Sequence, residues 1–244
     1  MIQGIYTASQ SMTLRSKKQD QIANNLANMN TTGYKQSGLF SVAVQKYLTN
    51  DNDQDFANRD IKADEVYVDH REGVYEQSKS PLDLSIKGDG FFKVMTPDGV
   101  RYTRNGNFSL NPDGLIVTSD GSKLMGTEGY IRVERNIPVQ ITESGEVIQE
   151  SESKGIINVV DFPKPYQFVR GGNSYFRPQM PGAVELKPSH FSVQQGYLEK
   201  SNVDVIRNMV EMIAAHRNFE ADQKALHAQD ETLDRAVNQV GRVG

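Results

Sequence analysis

Apolar residues recur at helical spacing along the C-terminal part of the chain. Residues 201–240 contain no proline or glycine, so nothing in this stretch interrupts a helix. Ser201 is the predicted N-cap, with the acidic Asp204 three residues later, as in a capping box. At ~1.5 Å per residue, such a helix would be about 57 Å long. One apolar row repeats every seven residues along it and consists of Val205, Met212, Phe219, Leu226, Leu233 and Val240.

The N-terminal part has the pattern of a partner helix. Residues 5–32 also lack proline and glycine, and Gly33 is the expected stop at the end of this helix. A helix with a seven-residue apolar row needs a second helix to cover that row. An ordinary two-helix hairpin fits this pattern, and so does a pair that also packs against neighbouring copies. The N-terminal apolar rows consist of Ile5, Met12 and Leu26, with Gln19 in register, and of Ile22 and Met29.

The central part has the turn signals of β-structure. All nine prolines lie between Pro81 and Pro188. We expect an antiparallel meander, which could close as a small barrel or sandwich, and irregular backbone over residues 163–182. Asn105-Gly106 is predicted to be a hairpin turn. Further turns are predicted at Thr96-Pro97-Asp98-Gly99, Asn111-Pro112-Asp113-Gly114, Ser119-Asp120-Gly121 and Ser144-Gly145-Glu146.

Together these patterns predict an α+β fold. Its long N- and C-terminal helices form a coiled-coil-like pair, and a mainly antiparallel β-domain is inserted between them. Residues 1–36 and 201–244 would form a discontinuous helical domain, residues 37–80 a connecting segment, and residues 81–200 the β-rich domain. Within the connecting segment, residues 41–47 have the alternation of an extended strand.

Composition narrows the classes of function. The net charge of −4 and the pI near 5.6 argue against nucleic-acid binding, which usually needs a basic surface. The chain has no cysteine, which excludes disulfides and cysteine-ligated zinc or iron–sulfur clusters. No stretch approaches the roughly 20 apolar residues of a membrane-spanning helix, so we expect no membrane insertion. The N-terminus lacks a basic start followed by an apolar run, so we expect no cleaved signal peptide.

No residue pattern points to catalysis, a cofactor or a metal. His216 and His227 lie eleven residues apart on the predicted helix, about 16 Å along its axis, which is too far for them to share one metal ion. Residues 51–55 open like a calcium-binding loop, but Phe56 stands where such a loop requires glycine. We therefore expect no enzyme activity, no cofactor and no catalytic or metal site. A cell-wall-cleaving enzyme and an extracellular binding module whose β-domain recognises a partner are the rival classes.

Five segments carry a family resemblance. Asp20–Lys35 resembles the N-terminal signature of bacterial flagellar rod and hook proteins. Ser80–Phe92 and Tyr102–Phe108 are similar to segments of their β-domain, and Gly196–Asp204 and Met212–Ala225 to their C-terminal box. The segments occur in the family's order and cover both ends and about half of the middle. Within the family, the chain looks most like the short proximal rod proteins, with distal rod proteins next and hook-type axial proteins as a further alternative.

The resemblance implies a structural subunit of the flagellar basal-body rod, the shaft that transmits torque from motor to hook. Such a subunit would leave the cell through the flagellar type III export apparatus and assemble in the periplasm with itself and other rod subunits. In the family, the terminal helices pack as an inner coiled-coil layer with the β-domain outside. The expected self-assembly residues are Ile5, Met12, Ile22, Asn25, Leu26, Met29, Val205, Met212, Phe219, Leu226, Leu233 and Val240.

The asparagines near the end of the first predicted helix have two possible roles. Asn24, Asn25 and Asn28 could cap the local backbone around the turn. Alternatively, they could form hydrogen bonds across subunits and fix the register, as a buried polar residue does in a coiled coil. The sequence leaves both roles open.

Overall fold

The computed structural model describes residues 2–40, 65–180 and 182–240. It divides into a helical unit and a β-rich unit, each of which is discontinuous in sequence. The helical unit consists of the described parts of residues 1–27, 37–69 and 203–244, and the β-rich unit of residues 28–36 and 70–202. These borders differ from the predicted ones, because the connecting segment is shared between the two units. The predicted strand at residues 41–47 lies outside the described residues.

The helical unit contains two long helices and a small β-ribbon. Helix α1 (Ile2–Ala27) and helix α2 (Val205–Val240) pack against each other. Strands β1 (Ser37–Phe40) and β2 (Glu65–Val68) pair in antiparallel fashion. The prediction of two long terminal helices is therefore confirmed. Within the described residues, neither helix is both long and apolar enough to cross a membrane.

Helix α1 ends earlier than predicted. It ends at Ala27 rather than close to Gly33, because the residues that follow form a hydrogen-bonded turn. The Thr31 N–H donates to the Asn28 carbonyl at 3.0 Å, and the Thr31 hydroxyl donates to the Asn28 side chain at 3.1 Å. Asparagine and threonine favour such local bonds over continued helix. Gly33 is not the helix stop: it has a φ of +66° inside the β-rich unit, where a Cβ would lie 2.3 Å from the backbone nitrogen of Asn105.

Helix α2 begins later than predicted. Its first residue is Val205, and Asp204 rather than Ser201 is the N-cap. Oδ1 of Asp204 accepts a hydrogen bond from the N–H of Arg207 at 3.0 Å, which is the bond expected of an N-cap side chain. The predicted capping box was therefore placed three residues too early.

The β-rich unit contains sixteen short strands among its described residues, and every pairing between them is antiparallel. The predicted antiparallel β-domain is thus confirmed. The strands are β3 (Tyr75–Gln77), β4 (Leu84–Gly88), β5 (Phe91–Thr96), β6 (Gly99–Thr103), β7 (Phe108–Leu110), β8 (Ile116–Thr118), β9 (Lys123–Gly126), β10 (Gly129–Tyr130), β11 (Gln140–Ile141), β12 (Glu146–Gln149), β13 (Glu152–Ile156), β14 (Val159–Val160), β15 (Phe168–Gly171), β16 (Tyr175–Pro178), β17 (Phe191–Gln195) and β18 (Tyr197–Glu199).

These strands form one large sheet and three small ones. Seven strands of the largest sheet follow the order β15-β16-β6-β5-β9-β8-β7, with β10 paired to β9 and β14 paired to β5. The smaller sheets are β11-β12-β13, β17-β4 and β18-β3.

Most of the predicted turns join paired strands. The turns after β5, β7, β8 and β11 each connect two antiparallel neighbours. Asn105-Gly106 is the exception, because β6 and β7 are not paired and the prediction of a hairpin there is wrong. Gly106 instead lies against β4, where its carbonyl accepts a hydrogen bond from Leu84 N at 3.0 Å. A Cβ at Gly106 would lie 1.6 Å from the Leu84 carbonyl oxygen, so this position requires glycine.

The described part of residues 163–182 is more regular than predicted. Strands β15 and β16 form a hairpin within this segment. Asn173 and Ser174 lie at the centre of its turn with φ values of +50° and +59°, and the N–H of Tyr175 donates to the carbonyl of Gly172 at 2.9 Å. Two residues with positive φ give the turn twist that hairpins favour. Pro163 and Pro165 lie before β15, and Pro178 is the last residue of β16, so these three prolines interrupt no strand interior.

One hydrophobic core holds the early and late strands of the β-rich unit together. Leu84 and Ile86 of β4 and Val193 of β17 are buried in the same cluster. Other members of this cluster include Phe92, Val94, Phe108, Ile116, Leu124, Ile141, Val147 and Ile157. The last part of the unit is therefore as much a part of its core as the first.

Candidate assembly surface

The predicted assembly residues differ in burial. Ile22 and Asn25 are buried. A larger group is half-buried, which is typical of positions at the edge of a helix–helix contact. The side chains of Ile5, Leu233 and Val240 lie outside the described part of the chain. The half-buried group consists of Met12, Leu26, Met29, Val205, Met212, Phe219 and Leu226. Met29 follows the end of α1 and belongs to the β-rich unit rather than to a helical row.

Asp222 of α2 receives two polar contacts from α1. Arg15 Nε donates to Oδ2 of Asp222, and the Ser11 hydroxyl lies 3.3 Å from the same oxygen. Ser11 and Arg15 are four residues apart, so they lie on the same side of α1. These contacts fix how far α1 is shifted along α2. Sequence periodicity did not indicate them, because it reports apolar rows and not the polar pair beside them.

Asn25 is bound within the subunit. Its Nδ2 donates to the Ser37 carbonyl at 2.8 Å, and its Oδ1 accepts from the Ser37 N–H at 3.0 Å. The side chain therefore pairs with the backbone at the start of β1, much as a neighbouring strand would. This geometry matches the local backbone role of the two that the sequence left open.

The described part of α2 has an apolar face that is exposed to solvent. The exposed fractions are 78% for Ile206, 47% for Met209, 61% for Val210 and 56% for Ile213. These four residues, called here the α2 stripe, follow the i, i+3, i+4, i+7 spacing of a single helix face. Four adjacent large apolar side chains on one face differ from the singly scattered apolar residues of an ordinary surface. The α2 stripe was not among the predicted assembly residues, although its spacing is readable in the sequence.

A second group of residues joins distant segments inside the β-rich unit. The Lys35 ammonium donates to Oε1 of Glu199 at 2.5 Å, and Nη1 of Arg104 lies 3.4 Å from Oε2 of the same carboxylate. Gly73 N–H also donates to this carboxylate, at 2.9 Å. The Lys35 and Glu199 side chains are 1% and 0% exposed. Lys35, Arg104 and Glu199 are called here the buried charge cluster.

Backbone groups complete the surroundings of this cluster. The carbonyl of Arg71 accepts hydrogen bonds from Lys35 Nζ at 2.7 Å and from Asn202 Nδ2 at 3.0 Å. Arg104 donates to the carbonyls of Ile86 at 3.0 Å and Gly88 at 2.7 Å. Burial lowers the pKa of Lys35 below its ordinary value, although the Glu199 carboxylate acts in the opposite direction.

Local sequence patterns did not indicate the buried charge cluster. Its three members lie within segments that carry the resemblance, but nothing in a single sequence shows that these segments meet. Among the described residues, no group of three or more histidine, aspartate or glutamate side chains is arranged to hold a metal ion.

Three family models match separate parts of the chain. Residues 5–35 match the model described as flagella basal body rod protein, and residues 85–149 match that of the flagellar hook protein FlgE/F/G D1 domain. Residues 194–240 match the model of the flagellar basal body rod FlgEFG protein C-terminal part. Each matched segment contributes one member of the buried charge cluster, so the cluster is the place where all three meet.

Relatives match the chain over nearly its whole length. The flagellar basal-body rod protein FlgF of Caulobacter vibrioides is 30% identical, with 96% of each chain covered. FlgG of Borreliella burgdorferi is also 30% identical, with 98% of each chain covered. FlgF of Mesorhizobium japonicum is 28% identical over 99% of each chain. With this identity along the full length and the family models at both ends, the chain belongs to the flagellar basal-body rod proteins as an FlgF/FlgG-like structural subunit of the rod.

Proposed function

We propose that this subunit assembles into the rod through its terminal helices, which form an antiparallel coiled-coil-like pair. The contact between Arg15 and Asp222 supports a specific register for this pair. In that register, the predicted apolar rows face each other, with Leu26 opposite Met212 and Met12 opposite Leu226. Gln19 then lies opposite Phe219 and is the single polar residue of the two facing rows. A polar residue in such a seam favours one register over others at some loss of stability.

The α2 stripe is the surface through which one subunit contacts the next. It carries the proposal, because it remains exposed although α2 already packs against α1 within the subunit. Burying a large aliphatic side chain contributes about 1.5–3 kcal/mol, so four such residues can stabilise an interface appreciably. When this surface binds a different surface on the next copy, the same contact can be repeated from copy to copy. If the copies do not close into a ring, the result is a helical filament.

Family membership supports the rest of the proposal. The subunit occupies the proximal part of the rod as an FlgF-type protein, with the distal, FlgG-type position as the alternative, and matches to relatives of both types support a place in the rod. It leaves the cell by the flagellar export apparatus and assembles in the periplasm. It acts as a mechanical part that transmits torque and not as an enzyme.

A crosslinking experiment tests this assembly surface. The chain has no cysteine, so Val210→Cys introduces a single thiol in the centre of the α2 stripe. Attaching a maleimide–benzophenone crosslinker to this thiol and illuminating isolated basal bodies should join the subunit to itself or to another rod protein. Mass spectrometry of the adducts identifies the neighbour.

The matched control places the thiol elsewhere on the same helix. Asn218 is exposed on α2 but lies away from the α2 stripe, so Asn218→Cys should give clearly fewer adducts. Equal adduct yields at both positions, or adducts only with proteins outside the rod, would reject the α2 stripe as the assembly surface.

A further inference from the structure

The strands that complete the β-rich unit come from the end of its sequence. β4 pairs with β17 and β3 pairs with β18, each in a two-stranded sheet. Gly196 adds backbone bonds to the same early region, since its N–H donates to Asp83 O at 2.7 Å and its carbonyl accepts from Ser78 N at 2.6 Å. A chain that emerges from its N-terminus exposes β3 and β4 before β17 and β18. β3 and β4 therefore lack these partner strands until residues 191–199 are available.

The same late segment brings the counter-charge of the buried charge cluster. Before Glu199 arrives, Lys35 and Arg104 would have to be buried without the carboxylate that binds both of them. Glu72 also attracts the Lys35 charge, but its own carboxylate is exposed and bonded to Tyr75 and to the N–H of Gly88. Removing one partner of a buried ion pair is strongly destabilising, because it leaves an uncompensated charge. The folded position of Lys35 is therefore disfavoured until Glu199 is present.

We propose that Glu199 is a folding latch. Its arrival between Lys35 and Arg104 closes the β-rich unit, and β3 and β4 stay unprotected until residue 199 is in place. The folding step does not depend on the proposed function. Its benefit does depend on it: in a chain that must be threaded through an export channel, β3 and β4 stay open until nearly all of this unit has passed.

Hydrogen exchange of the full-length protein, followed by mass spectrometry, tests the latch. Glu199→Gln keeps the shape of the side chain and removes the charge. It should raise the exchange rates of β3, β4, β17 and β18 together, on the order of 100-fold. Glu152→Gln is the matched control, because Glu152 is paired with Lys154 on the surface of the same unit at 2.8 Å. This control should leave the exchange rates of all four strands unchanged.

A second variant separates loss of charge balance from loss of packing. Adding Lys35→Met to Glu199→Gln removes the cation that was left without its partner, so it should restore a large part of the protection in β3 and β4. Pulse labelling of the wild-type protein during refolding should show these four strands becoming protected after the large sheet. The latch is rejected if Glu199→Gln leaves the exchange of β3 and β4 unchanged. It is equally rejected if the double variant exchanges as fast as the single one, or if β3 and β4 become protected before the large sheet.

Discussion

The backbone N–H of Gln36 donates a hydrogen bond to the side-chain oxygen of Asn202 at 2.6 Å, across 166 residues of sequence. One residue earlier, Lys35 binds Glu199. The segment that follows α1 and the segment that precedes α2 therefore meet inside the β-rich unit. The chain folds back on itself at this place, so the two ends of the β-rich insert are held together by specific bonds.

Gly106→Ala should destabilise the β-rich unit by about 1–3 kcal/mol or more, because the added methyl group would overlap the backbone of β4. A Cβ at this position would lie 1.6 Å from the Leu84 carbonyl oxygen, which cannot move without breaking the pairing of β4. Urea unfolding followed by tyrosine fluorescence measures the change.

Gly172→Ala is the control for this substitution. A Cβ at Gly172 has no other atom within 4 Å, so the free energy of unfolding should change by no more than about 0.5 kcal/mol. If both alanine variants unfold at the same urea concentration, close packing is not the reason for glycine at position 106.

Asp120→Asn should reduce the amount of unfolding free energy that the protein loses as the pH falls. Partial burial disfavours the Asp120 carboxylate, but hydrogen bonds from Thr118, Tyr175 and Ser122 outweigh burial and hold the pKa below its ordinary value. The folded state therefore binds fewer protons than the unfolded state. The stabilisation is complete above the unfolded pKa and is lost as the pH falls through the folded pKa.

Unfolding free energies measured from about pH 5 to about pH 2 check this prediction. The wild type should lose about 0.5–1 kcal/mol more than the variant over this range, a small value because Asp120 is largely exposed and solvent screens its charge. Glu185 also has a pKa below its ordinary value: burial opposes this shift, and bonds from Lys93 and Tyr102 outweigh it. The Asp120→Asn variant should therefore still lose some unfolding free energy as the pH falls. An equal loss in both proteins would contradict the assigned role of Asp120.

Arg15 and Asp222 should show a measurable coupling between α1 and α2. A double-mutant cycle with Arg15→Met and Asp222→Asn is expected to give an interaction energy of about 0.5–1 kcal/mol, and less at high salt. Circular dichroism of thermal unfolding provides the free energies. The exposed pair of Arg207 and Glu211 lies within α2 alone and should couple by about 0.3–0.5 kcal/mol. Absence of coupling between Arg15 and Asp222 would leave the proposed helix register without support.

Local patterns in the sequence predicted the elements that depend on local chemistry. The terminal helices follow from long stretches without proline and glycine, and the turns at residues 96–99 and 111–114 follow from proline and glycine at fixed positions. Asn105-Gly106 has equally strong turn chemistry but joins unpaired strands, because contacts with β4 decide its role. Turn sequences therefore predicted where the chain bends, and tertiary contacts decided which strands pair.

The candidate site was less predictable than the fold. The apolar rows of α2 are visible in its sequence, but which row is covered and which is exposed depends on where α1 packs. Val205 and Met212 are half-buried, whereas Ile206 and Ile213, one residue further along, are exposed. The buried charge cluster depends on contacts across 164 residues between Lys35 and Glu199, which a local pattern cannot contain.

The most direct test of assembly through the terminal helices is the amount of this subunit in isolated basal bodies when the α2 stripe carries a charge. Ile213→Asp should leave the fold intact, because the side chain is 56% exposed, and Asn218→Asp adds the same charge outside the α2 stripe. Each variant replaces the wild-type gene, and quantitative mass spectrometry measures its incorporation. We predict that Ile213→Asp is almost absent from basal bodies while Asn218→Asp is incorporated normally. Normal incorporation of Ile213→Asp would contradict assembly through the α2 stripe.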